Sequence, residues 1–229
     1  SALKQELRTR GVSFQSLGGA ESSKILSRVR ADGSNKSVVP LQKAPKIAVY
    51  APDRAVPWDD AVRLALRYAD VPHDVIYDRA VLNGKLDQYD WLHLHHEDFT
   101  GQFGKFIRYR NEPWYIQQQK EAEAAAREFG FRKVSQLKLA VAQRIKRYVS
   151  RGGFLFSMCS GTETFDMALA AHQTDIVPAE YDGDPVDPNA IQQLDFGPTL
   201  AFRDFRPNLN AHEYEHSNID AGPPPSQIR

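Results

Sequence analysis

The sequence holds a single cysteine, Cys159, in 229 residues, so an internal disulfide framework is excluded. One thiol fits a reducing compartment, and equally a disulfide-free periplasmic or secreted protein. Neither sign of charge is in excess: 29 Lys and Arg face 29 Asp and Glu. Such a chain has no general attraction for nucleic acid or an anionic membrane surface. No run is long and apolar enough to span a bilayer, and no charged-then-apolar signal segment opens the chain. The first residue is Ser1 rather than Met, which is compatible with removal of a leader. The expectation is a soluble protein, cytoplasmic or exported, whose partner is a small-molecule substrate or ligand. Neither nucleic acid nor membrane is expected as a partner, no cofactor is expected, and nothing in the residues bears on oligomeric state.

What is present is a regular alternation beginning at Pro45. Lys46-Ile-Ala-Val-Tyr-Ala51 is a short apolar run closed by Pro52-Asp53, which reads as a buried strand. Asp59 to Ala69 has helical spacing; His73 to Tyr77 and Tyr89 to His95 read as further strands. Strands alternating with helices predict an α/β fold with a doubly wound, mostly parallel sheet and helices on both faces. Phe99 to Arg110 is an aromatic and basic interruption, followed by a helix capped by Asn111 with Pro113 in its first turn. This reads as an insertion after the third strand. A second helix, Ser135 to Ser150, places Leu137, Val141, Ile145 and Tyr148 on one side and stops at Gly152-Gly153.

Phe154 to Met158 then reads as a central strand, Thr162 to Ala171 as a helix, and Leu200 to Phe205 as a candidate strand. Residues 1–44 read as an extension with a short helix, a strand at Gly11 to Gln15 and a Ser-rich linker; Gly222-Pro-Pro-Pro reads as an extended tail. Residues 45–229 hold too few strands beyond Cys159 for a complete doubly wound sheet. The domain is therefore expected to be incomplete at its C-terminal end.

The most informative stretch is Gly152-Gly-Phe-Leu-Phe-Ser-Met-Cys-Ser-Gly-Thr-Glu-Thr-Phe-Asp166. A strand running into Cys159-Ser160-Gly161 and then a helix exposes the thiol at the carboxyl end of the sheet. The helix N-terminus there stabilises a thiolate or an oxyanion. On these residues the chain resembles the class I glutamine amidotransferase-like superfamily, of flavodoxin-like architecture, over roughly Pro45 to Ala171. It also looks like a poorly characterised bacterial group labelled asparagine synthetase B. The resemblance implies Cys159 as a nucleophile, an amide or acyl substrate, and a pocket with Ser160 and Gly161 at the oxyanion position. The superfamily's Gly two positions before the Cys is Ser157 here, and its His-x-Glu pair has no clean counterpart.

In the sheet order of that fold class, the third strand lies beside the one bearing the Cys. His95, His96 and Glu97, at its carboxyl end, are therefore candidate proton carriers beside Cys159. Asp53, Gly101 and Glu163 belong to the same edge as candidate pocket residues. Three functions remain open: a cysteine-dependent amidotransferase or hydrolase; a non-catalytic small-molecule-binding module with a degenerate site; and a metallo-hydrolase using His93, His95 and His96. His212-Glu-Tyr-Glu-His216 formally matches the H-E-x-x-H zinc motif, but Gly222-Pro223 and its Asn-rich flanks argue against the helix that motif needs.

Overall fold

A computed structural model describes residues 2–31, 44–52 and 61–219, and the chain divides into two units, Ser1–Ala44 and Pro45–Arg229. In the first unit, α1 (Ala2–Thr9) and α2 (Gly19–Ala31) are helices. Gly11, at φ +68°, turns the chain after α1 in the left-handed conformation that glycine adopts without penalty. The strand expected over Gly11 to Gln15 does not form, because the described residues of this unit supply no partner strand. Much of the expected Ser-rich linker is α2.

The second unit is built on four parallel strands: β1 (Ile47–Tyr50), β2 (His73–Ile76), β3 (Trp91–Leu94) and β4 (Phe154–Ser157), in the order β2-β1-β3-β4. Between them run α3 (Ala61–Tyr68), α4 (Asp78–Leu82), α5 (Pro113–Glu128) and α6 (Val134–Ser150), and α7 (Cys159–Ala170) follows β4. This is an α/β fold with an all-parallel sheet. Parallel strands covered on both faces are apolar throughout rather than alternating, and all of β1 is buried. One face of the sheet, with Ala48, Tyr50, Leu92 and Leu94, packs against Val141 and Ile145 of α6 and Phe165 and Leu169 of α7. Burying each large aliphatic or aromatic side chain there contributes roughly 1.5–3 kcal/mol.

On the opposite face the register places Val49, His93 and Phe156 in one row across the strands. Burial fades along it: Val49 and His93 are wholly buried, while Phe156 is 45 % and its neighbour Phe154 56 % exposed. β4 is therefore the edge of the described sheet, not the central strand that its apolar sequence suggests. Four apolar residues cannot report whether a strand has one neighbour or two. His93 stacks on Phe156, ring centroids 5.6 Å apart, which makes it a packing residue on this face.

The interruption after β3 is compact. Two short 3-10 helices, Phe103–Lys105 and Ile107–Tyr109, precede α5, whose N-cap is Glu112 rather than Asn111. Phe103, Gly104 and Lys105 all have φ between +50° and +66°, forming one left-handed turn. Each non-glycine residue in that conformation costs about 1–2 kcal/mol. Beyond α7 the described chain contains α8 (Ala179–Asp182) and one 3-10 turn. Leu200 to Phe205 is a loop, not a strand: the buried carboxylate of Asp166 accepts the N–H groups of Leu200, Ala201 and Phe202 at 2.7–2.8 Å. Among the described residues, no helix is long and apolar enough to cross a membrane.

Candidate functional site

The junction of β4 and α7 is a tight turn with an unusual backbone. Cys159, the first residue of α7, has φ +49° and an exposed side chain. A non-glycine residue in this region is uncommon, and such strain collects at functional sites because the surrounding structure must hold it in place. The hold is visible. Three consecutive carbonyls after β3 are bound by the start of α7: Gly161 N–H donates to His95 O at 2.8 Å, Ser160 Oγ to His96 O at 3.0 Å, and Thr164 Oγ1 to Glu97 O at 3.2 Å. The spacing Ser160-Gly161-x-x-Thr164 matches one helical turn, so one face of the helix reads the segment residue by residue.

Gly161 is required for this approach. A Cβ there would fall well inside contact distance of the His95 carbonyl oxygen, and 3.1 Å from its carbon. The turn thus places Cys159, Ser160 and Gly161 directly against His95, His96 and Glu97. The two imidazoles share a hydrogen bond between their Nδ1 atoms at 3.0 Å, and His96 Nε2 lies 4.0 Å from the buried Glu97 carboxylate.

Glu163 points elsewhere. It is buried beneath the turn, accepting a hydrogen bond from Ser217 Oγ at 2.7 Å and lying 3.7 Å from His216 Nδ1. His216 in turn is 3.9 Å from Asp98. The residues of the formal zinc motif lie in a turn, not a helix, with His212 and Glu215 exposed while His216 is buried. Sequence reasoning missed the pairing of His216 with Glu163, since the two lie 53 positions apart and most of the chain beyond α7 is irregular.

A cleft of about 1060 Å³ opens at the carboxyl ends of β1, β2 and β3, where the strand order reverses between β1 and β3. Open parallel sheets bind ligands at this point. His96, Glu97 and Asp98 line it together with Gly101, Phe103 and Gly104, whose N–H donates to Asp98 Oδ2 at 3.1 Å. Gly101 has φ +86° and a Cβ there would lie 2.8 Å from Ser135 N, so glycine is needed where the insertion meets α6. Cys159 is not part of the cleft wall; its turn backs the wall from behind. A second cavity, of about 240 Å³ beside Lys133 and His172, falls below the size of ordinary ligand pockets, about 300–1,000 Å³. Asp53 lies outside the described residues.

The floor of the cleft is a buried polar group that the sequence did not announce. Lys138 Nζ, on α6, donates to both Asp78 oxygens at 2.9 and 3.0 Å and to the hydroxyls of Tyr50 and Tyr77 at 3.0 Å each. Tyr50 also donates to Asp78. Burial works to lower the Lys138 pKa, but Asp78 and Tyr77 outweigh it and leave it raised. Burial, then Asp78, pushes the Tyr50 hydroxyl well above its ordinary value; Tyr77 is raised chiefly by burial, against the pull of Lys138. Lys105, in the left-handed turn, donates to the carbonyls of Asn208 and Asn210 at 2.7 and 3.0 Å. Burial lowers its pKa to about 8, opposed by Glu213 and Asp98.

Among the described residues, one group of three or more potential ligands converges closely: Asp175, Asp182 and Asp184. Lys133 Nζ is paired with all three. His93, His95 and His96 do not converge in that way: His93 is packed on Phe156, and His95 and His96 bond to each other. No family model, curated protein or solved structure matches the chain.

Proposed function

We propose that the chain is a cysteine-dependent hydrolase or amidotransferase-like protein acting on an amide or acyl compound, with Cys159 as nucleophile. The carrying observation is the strained, exposed Cys159 at the strand-to-helix turn, locked by three hydrogen bonds to the segment bearing His95, His96 and Glu97. In this reading the thiol passes its proton to His95 or His96, and Sγ attacks the carbonyl carbon to form a tetrahedral oxyanion. The Ser160 N–H at the start of α7 faces that charge. Collapse breaks the carbon–nitrogen bond, the imidazolium protonates the leaving amine, and water then hydrolyses the thioester.

A second reading, a non-catalytic binding module, is favoured by one observation: the large cleft does not include Cys159. Intact-protein mass spectrometry after incubation with p-nitrophenyl acetate and with glutamine separates the two. The first reading predicts an acyl adduct on the wild type that Cys159→Ala cannot form, together with Cys159-dependent release of product. Absence of both would leave the binding module.

A further inference from the structure

The cleft at the carboxyl edge carries a chemical preference independent of Cys159. Among the described residues, its wall contains five carboxylates, Asp74, Asp78, Glu97, Asp98 and Glu121, against three bases, Arg79, Lys85 and Lys138. One of those carboxylates, Asp78, and two of those bases are turned to other work. Lys138 is committed to Asp78 and the two tyrosines at the floor, and Arg79 Nε donates to Glu128, outside the cleft wall, at 2.6 Å. A concave, low-dielectric surface focuses the resulting negative potential into the space where a ligand would lie.

The buried groups around the cleft register the same field. Tyr50 and Tyr77 are raised by burial, then by Asp78, with Glu97 adding least; Tyr115 is raised by burial and then Asp98, and Tyr181 by burial, Tyr115 and Asp98.

Part of the lining is aromatic. Phe103, Phe106 and Trp114 all line the cleft, Phe106 and Trp114 meeting edge to face with centroids 6.1 Å apart. Trp114 is 48 % exposed, leaving indole surface open to a ligand. Phe103 stands in costly left-handed backbone, and the Gly104 that follows it lies close to the Phe106 ring. Carboxylates and ring faces lining one cleft form the environment in which an organic cation is preferred over an anion, since the ring quadrupole and the carboxylates attract the same sign.

We propose that this cleft binds a small molecule through a cationic amine or guanidinium group, held among Glu97, Glu121, Trp114 and Phe106, all of which line it. The group enters as the ammonium or guanidinium ion and no covalent step is involved. The preference does not depend on Cys159 being a nucleophile, so Cys159→Ser is expected to bind as the wild type does.

The test is calorimetric titration of the full chain, with tryptophan fluorescence read in parallel. The probes are agmatine and 1,5-diaminopentane, against succinate and inorganic phosphate. The expected result is saturable 1:1 binding of agmatine and diaminopentane and none of the anions. Glu97→Gln should weaken binding about tenfold, and Trp114→Leu about threefold to tenfold. Because Glu97 is buried and its substitution bears on folding as well as binding, Glu121→Lys at a more accessible position is the second charge variant, and should weaken binding by a similar factor. Tighter binding of succinate or phosphate than of the cations would overturn the proposal. So would no saturable cation binding, or undiminished binding in folded Glu121→Lys and Trp114→Leu. A chain that binds cations but never forms a Cys159 adduct would keep this inference and lose the hydrolase; the converse outcome would do the reverse.

Discussion

Lys138→Met is expected to destabilise the second unit by about 3–5 kcal/mol, because it leaves Asp78 buried without its cation. Lys138 is 4 % exposed and Asp78 2 %, so water cannot replace the lost partner without opening the packing of α4 against α6. For a domain of this size, that loss corresponds to a fall in Tm of roughly 6–20 °C. The double variant Lys138→Met with Asp78→Leu removes both charges together. It should recover much of the loss, since buried ion pairs exchange for apolar residues at little net cost.

The sign with pH follows from the same group. A lysine whose folded pKa is raised contributes stability that is complete below its unfolded value, about 10.4, and is lost above it. Tyr50 and Tyr77, also raised, retain protons that the unfolded chain releases above about pH 10, so they act in the same direction. The wild type should therefore lose stability steeply above about pH 10. Lys105, lowered to about 8, acts in the opposite sense, relieving a penalty as pH rises from there toward the unfolded value. Chemical denaturation of both variants at pH 7 and pH 10.5 checks these signs. An unchanged midpoint for Lys138→Met at pH 7 would show that the four-residue group contributes nothing.

Gly161→Ala is the second large effect. In an ordinary helix the change would stabilise by up to about 1 kcal/mol. Here the new methyl group meets the carbonyl of His95, which is backbone and cannot swing away. Separation of α7 from the 95–97 segment should cost about 3 kcal/mol, the upper part of the range for overpacking, and would release the carbonyl held by Gly161 N–H. Ser160→Ala, which removes only an exposed side-chain bond to His96 O, should cost about 0.5–1.5 kcal/mol. Parallel thermal melts distinguish the two. A neutral or stabilising Gly161→Ala would mean that the turn is looser than its geometry implies.

Much of this arrangement was legible before any coordinates. The apolar runs at Ile47–Tyr50, Trp91–Leu94 and Phe154–Ser157 gave strands, and for the first two the reason is that interior parallel strands keep both faces dry. The adjacency of β3 and β4 followed from the sheet order, which brought His95, His96 and Glu97 to Cys159. The exposure of β4 was not legible, since it depends on a neighbour the residues themselves do not encode. Nor was the cleft floor, whose members lie up to 88 residues apart. One signal for it was present: Lys138 occupies the stripe 134, 137, 138, 141, 142, 145 and 148, whose other members are apolar and buried. A lysine on the core stripe of an amphipathic helix requires a buried partner, and Asp78 is that partner. The left-handed Phe103-Gly104-Lys105 turn had no comparable signature, because only one of its three residues favours that conformation.

The central claim is that the turn activates Cys159, and because the chain has one thiol, its alkylation can be followed without knowing a substrate. The measurement is the second-order rate of carbamidomethylation by iodoacetamide at pH 7, for the folded chain and for the same chain unfolded in guanidinium chloride. An exposed thiol at a helix N-terminus, on a turn bound to the segment that carries His95 and His96, should react at least about tenfold faster folded than unfolded. A folded rate equal to or below the unfolded one would contradict the account and leave Cys159 as an unreactive surface residue.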